Sequence, residues 1–311
     1  MNTYRDALPQ LGRLFVTDVG LETTLVFLDG LNLPFFAAFP LVFREDGRSV
    51  LQRYFQPYLE LAGRHRTGLV LDTPTWRANP DWGLKVGFDS KALAAANRAS
   101  IEFIADLRAR HAGPQTPVVL NGVVGPRGDG YRMEAVMSAA EARAYHDLQI
   151  STFRDSGADM ASAITMTYAE EAIGIALAAR NRRLPVVVSF TVEIDGRLPS
   201  GEELGAAIER TDAATGGYPA YYMVNCAHPR HFEAPLAGQA PWLERIGGIR
   251  ANASEKSHAE LDAATELDIG DPQALAQDYL RLRRRLPGLC VVGGCCGTDH
   301  RHVAAICEAC L

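Results

Sequence analysis

Short runs of Val, Ile, Leu and Ala recur along the chain, and each is followed after a turn by a longer stretch whose apolar positions repeat with helical spacing. Eight such runs predict strands over Leu14–Asp18, Gly68–Thr73, Pro117–Gly122, Asp159–Thr165, Val186–Thr191, Ala220–Asn225, Ile246–Arg250 and Leu289–Gly294. Turn signals at Ser156-Gly157, Arg183-Leu184-Pro185 and Leu286-Pro287-Gly288 end a helix and feed the next strand. Helical periodicity covers Ser90–His111, Ala139–Asp155, Tyr168–Asn181, Gly201–Ala214 and Pro272–Leu286, the last entered through Asp271 as cap and Pro272 in the first turn. Eight strands alternating with helices, undivided by any low-complexity linker, predict one α/β domain over residues 1–311. A closed (β/α)8 TIM barrel accounts for this pattern better than an open, doubly wound sheet. Two stretches break the alternation: residues 29–47, with Phe35, Phe36 and Phe39, and residues 252–271, whose length suits a lid over a site.

Composition narrows the setting without changing the fold. With 311 residues, 47% of them hydrophobic, the chain buries a full core without staples, and its net charge of -6 gives nucleic acid no basic surface. The Arg281–Arg285 run is interrupted by Leu282 and reads as a solvated helix face. The first six residues lack the pattern of a secretory signal, and no apolar run approaches the ~20 residues that cross a bilayer. A cytoplasmic protein with no membrane partner is the expectation, and its oligomeric state is left open.

Six cysteines in such a setting are expected as reduced thiols, and their placement is uneven. The first 225 residues contain none, then Cys226 ends the sixth predicted strand and Cys295-Cys296 end the eighth. In a (β/α)8 barrel the carboxyl ends of all strands face one mouth, so residues 69 positions apart can meet there. Three thiolates leave a tetrahedral Zn2+ with one open position, the mark of a catalytic rather than a structural site. A thiol taking that position loses its proton and becomes a nucleophile at neutral pH, suited to in-line attack on a methyl carried by a positive sulfur or nitrogen. The glycines in Gly293-Gly294-Cys295-Cys296-Gly297-Thr298 allow a turn tight enough to bring adjacent cysteines to one metal, and Thr298 or Asp299 caps the helix that follows.

This motif, with Val224-Asn225-Cys226, Asp18-Val19-Gly20-Leu21-Glu22-Thr23 and Gly125-Pro126-Arg127-Gly128, resembles the homocysteine S-methyltransferase family over nearly the whole chain and in the same order. The resemblance implies a (β/α)8 barrel with zinc on Cys226, Cys295 and Cys296. It also implies transfer of a methyl group from betaine, S-methylmethionine or a similar donor to homocysteine, giving methionine. The chain departs from the family at Val19, where glycine is usual, and at Ile164, where many members carry the glutamate associated with the substrate's amino group. Glu22, Glu170, Glu171 or Glu193 could take over that role, or the thiol, or a selenol, could be a different one.

The remaining polar residues at predicted strand ends supply candidate substrate contacts: Asp18 for an amino group, Thr75 and Thr165 at the mouth, Asn225 beside Cys226, and Trp76 as a ring face for a cationic donor. His228 reads as a loop histidine rather than a fourth ligand, and Cys307 and Cys310 as structural. Two other functions remain open. One is a zinc- or thiol-binding barrel acting as carrier or sensor without turnover, motivated by Ile164; the other, a hydrolytic zinc, is disfavoured by the charge that three thiolates donate to the metal.

Overall fold

The computed structural model describes residues 4–311. Eight parallel strands, β1 (Phe15–Thr17), β2 (Gly68–Asp72), β3 (Val118–Val124), β4 (Met160–Met166), β5 (Val186–Phe190), β6 (Tyr222–Asn225), β7 (Ile246–Ala251) and β8 (Val291–Gly294), pair in sequence order and close into a barrel through β1 and β8. Every strand residue is buried, as expected of parallel strands covered on both faces. Alternation sorts their side chains into two clusters. Phe15, Val70, Val119, Met160, Val187 and Val291 belong to one cluster, while Val16, Leu69, Val118, Ala161, Val188 and Val292 join the larger one shared with the helices. Leu8 and Tyr4 extend the first cluster, and the buried Gln10 meets Tyr221 Oη at 3.4 Å within it.

The predicted strands match the observed ones to within two residues at either end, and the Ser90–His111 and Ala139–Asp155 helices match outright. Caps explain that accuracy: Asp89 accepts from Ala92 N, Ser138 and Glu141 form a capping box, and Asp271 accepts from Gln273 N and Ala274 N. Three of the Arg281–Arg285 arginines point to solvent beside Arg281, which pairs with Asp278. No helix among the described residues is long and apolar enough to cross a membrane.

The two irregular stretches lie beside the strands' carboxyl ends. After β1 come a wide turn at Thr24–Leu28 and short 3-10 turns at Pro34–Phe36 and Phe39–Phe43, before a long helix at Glu45–His65. After β7, residues 252–271 contain one short helix, His258–Asp262, opened by a Ser257–Glu260 capping box. Both stretches contribute to the wall of the same cavity.

Candidate metal centre

Cys226 follows β6 in a left-handed conformation, φ 53°, which a residue with a side chain holds only where its surroundings fix it. Here Cys226 N donates to Arg250 O at 3.1 Å, and Cys226 O accepts from His258 Nε2 at 2.8 Å. On the opposite side Cys295 N donates to Ala251 O at 2.8 Å, and Cys295 O accepts from Thr298 Oγ1 at 2.7 Å. Asp299, rather than Thr298, caps the last helix, His300–Cys310. A side chain at Gly293 would strike Thr17 and the Asp18 carbonyl, and one at Gly294 would strike Thr298 and Val19, so the turn exists only because its backbone can pack this closely.

The sulfurs of Cys226, Cys295 and Cys296 lie within 4.8 Å of one another. Cys226 and Cys295, with Cα atoms 5.4 Å apart, are joined as a disulfide, while Cys296 is free. This departs from the expectation of six reduced thiols. Positions that gather three sulfurs around one point also bring two of them within bonding reach of each other. Reduced, the three form a donor set of the kind that soft divalent metals prefer. Thr23 Oγ1 donates to Cys296 Sγ at 3.4 Å, and Tyr131 Oη lies 3.3 Å from the same sulfur. The Tyr131 ring stacks on His258 at 4.1 Å, and His258 Nδ1 meets Glu193 at 3.0 Å, so one continuous set of contacts supports both Cys226 and Cys296.

The cysteines line a cavity of about 420 Å³, a size suited to small molecules. Phe27, Phe36, Leu261 and Leu267 form part of its wall, with Asp129, Asp262, Glu266 and Asp268 among them. Beneath lies a charged belt: Arg250 Nη2 donates to Asp18 Oδ1 at 2.7 Å, and Nη1 is paired with Asp72. Tyr54 Oη adds a 3.0 Å bond to Asp18, and Asn121 Nδ2 a 2.7 Å bond to Asp72. Burial raises the Asp18 carboxyl to about 6 against the pull of Arg250. Burial also works against the Arg250 charge, but Asp72 and Asp18 hold its pKa above the usual range.

Among the candidate substrate contacts, Asp18, Trp76 and Thr165 line the cavity together with the cysteines. Thr75 and Asn225 are not on that lining: Thr75 Oγ1 donates to Val123 O at 2.7 Å inside the barrel wall. Asn225 Oδ1 accepts from Ser189 Oγ at 2.6 Å and from Thr165 N at 3.0 Å, and its Nδ2 donates to Thr165 Oγ1 at 2.8 Å. These bonds hold Thr165 in its own left-handed conformation, φ 66°. Trp76 Nε1 donates to Ile164 O at 3.2 Å, and one face of its ring is taken by the Arg77 guanidinium at 4.0 Å.

The four glutamates considered for the missing carboxylate separate cleanly. Glu170 pairs with Arg210 at the surface, Glu171 is buried against His146, and Glu193 meets His258. Glu22 lines the cavity, and burial raises its carboxyl to about 7. His228 stands apart from the cysteine cluster and caps the short Pro229–Phe232 helix. Cys290, Cys307 and Cys310 are buried. Sequence reasoning missed Tyr131, His258, Asp72 and Arg77. Arg77 is adjacent to the singled-out Trp76 and Tyr131 lies three residues beyond Gly125-Pro126-Arg127-Gly128, whereas His258 carried no signal within its irregular stretch.

The sequence model of the family described as homocysteine S-methyltransferase matches residues 15–310. Comparison with curated proteins finds no match. Among solved structures the chain is similar to the homocysteine methyltransferase MmuM from Escherichia coli. For its oxidized form the TM-score is 0.74 at 20% identity, covering 98% of this chain and 99% of that one. For the metallated form the TM-score is 0.73, also at 20% identity, covering 99% of each chain. At that identity the likeness is one of fold.

Proposed function

Since the chain belongs to the homocysteine S-methyltransferase family and is a methyltransferase, we propose that it moves a methyl group from a sulfonium or ammonium donor to a thiol, with Zn2+ held by Cys226, Cys295 and Cys296. The observation that carries this reading is the convergence of those three sulfurs from β6 and β8 on one point of the cavity wall. Zinc bound there supplies ionisation of the substrate sulfur at a pH where a free alkyl thiol stays protonated. The rest belongs to the chain's own groups. Thr23 and Tyr131 hold and orient the Cys296 sulfur, and His258 fixes the Cys226 backbone. Phe27, Phe36, Leu261 and Leu267 give the transfer path an apolar wall. Asp129 and Glu266 favour a cationic donor over an anionic one, whereas Asp262 and Asp268 are paired with Arg132 and Lys256. Trp76 keeps only one ring face for that donor, because Arg77 covers the other.

Homocysteine is the leading thiol, with methionine as product. Asp18 is engaged by Arg250 and Ile164 carries no charge, so Glu22 is the group placed to meet an amino group, with Thr165 beside it on the wall. Thr75 and Asn225 serve by shaping that wall. The whole of residues 1–311 acts as one domain, and a reducing, cytoplasmic setting suits a site that needs three free thiolates. The test is to measure zinc content and methylated product, by mass, for the wild type and Cys296→Ala over several thiols and donors. Equal zinc and equal turnover in the two proteins would discard the proposal. Ile164 and the occupied Asp18 favour one second reading, a thiol carrier or sensor, for which zinc-dependent thiol binding would occur with no methylated product from any donor.

A further inference from the structure

Arg77 follows Trp76 in the loop after β2, lines the cavity and is only 6% exposed. Its guanidinium sits between two indole rings, 4.0 Å from the Trp76 centroid and 3.8 Å from that of Trp82, so its plane is fixed. Nη1 donates to Gly128 O at 3.0 Å. Among the described residues Nε and Nη2 find no acceptor, Nε is a buried donor without a partner, and Arg77 forms no ion pair. Glu22 and Asp129 act on it only at longer range. Burial lowers its pKa to about 10, which still leaves it charged at neutral pH. A buried cation with unused donors is costly unless something completes it. The same residue would be inexpensive if the partner were a ligand of the cavity it lines.

A carboxylate pairs with a guanidinium through charge-assisted N–H bonds, and the stacked rings hold the Arg77 guanidinium in one plane. We infer that Arg77 binds the carboxylate of a methyl-transfer ligand, the acid end of an amino-acid thiol or of a betaine-type donor. A dianion such as phosphate suits the place less well, because Glu22 and Asp129 face the same guanidinium. The inference rests on the thiol methyltransferase reading and deepens it. Arg77 and Glu22 together would read both charges of an amino acid, replacing the carboxylate missing at Ile164.

Zinc-loaded wild type, Arg77→Met and Arg77→Lys are to be compared with homocysteine against homocysteamine, its decarboxylated analogue, and with betaine against tetramethylammonium, which lacks only the carboxylate-bearing carbon's acid group. Charge-assisted bonding predicts a wild-type preference for one carboxylated ligand of about 10- to 100-fold in kcat/KM, lost in Arg77→Met and partly kept in Arg77→Lys, with zinc content equal in all three. Loss in the thiol pair assigns the carboxylate to the thiol, and loss in the donor pair assigns it to the donor. A preference retained by Arg77→Met in both pairs overturns the inference. If the wild type yields no methylated product from these or any of the thiols and donors of the broader screen, the methyltransferase reading fails instead. Arg77 is then judged by calorimetry with methionine, which carries the carboxylate but no thiol, and equal affinity in wild type and Arg77→Met overturns the inference.

Discussion

Strand β8 is entered beside one cysteine and left through two, and the ends differ in everything but residue type. At the entry, Cys290 Sγ bonds to Gly247 O at 3.2 Å, and burial pushes its thiol up to about 12. Cys307, on the last helix, is likewise pushed up to about 12 by burial. At the exit, Cys295 and Cys296 open onto a cavity lined by charges and meet Cys226. Backbone packing decides which cysteines can meet: the exit turn is shaped by glycines and fastened by Thr298, while the other three thiols are buried.

The comparison breaks most sharply under substitution. Cys296→Ala should lose bound zinc and methyl transfer to background, as measured by metal analysis and product mass, whereas Cys290→Ala should keep both. A second contrast is reactivity. In reduced, metal-free protein an alkylating reagent should label Cys296 rapidly. Cys290 and Cys307 should react far more slowly than an ordinary cysteine until the chain unfolds, because burial both raises their thiols and shuts out the reagent. Peptide mapping against time would read this directly, and equal labelling of all sites would erase the distinction.

Smaller effects test the supports. Tyr131→Phe removes the hydroxyl 3.3 Å from Cys296 Sγ and should weaken zinc affinity by about 10-fold, the lower end for a partner that orients a ligand, as read by chelator competition. Glu22, raised by burial from 4.5 to about 7, binds its proton more tightly folded than unfolded, so stability falls as pH rises across that window. Glu22→Gln should therefore gain Tm relative to wild type above pH 7, with little difference below 4.5. A constant offset at every pH would contradict this. Smallest of all, Cys307→Ala should cost about 1 kcal/mol in denaturant midpoint analysis, the loss of one small buried group, with zinc content unaffected.

The two ends also differ in how well the sequence announces them. Eight strands were legible because their short Val-, Leu- and Ala-rich runs are buried on both faces and their few polar residues fall mostly toward the carboxyl ends, and helix starts were legible where Asp89, Ser138 and Asp271 cap them. The three clustered cysteines were legible because strand ends of a barrel share one mouth. Tyr131, His258 and Arg77 were not, since each sits on a connection whose path depends on contacts far away in sequence, such as Tyr131 stacking on His258 across the mouth. The Asp18 partner was hidden for the same reason: Arg250 reaches it from 232 positions away.

The close packing of the exit turn bears on which changes the chain can survive. At Gly293 an added methyl meets Thr17 and Asp18, at Gly294 it meets Thr298, and at Gly297 the backbone, φ 80°, also brings it against the Asp268 carbonyl. In a saturation library these three positions should be as intolerant as the cysteines they flank, though none carries a donor atom. Residues 293–297 would then drift through generations as one indivisible unit, two positions held by chemistry and three by lack of room.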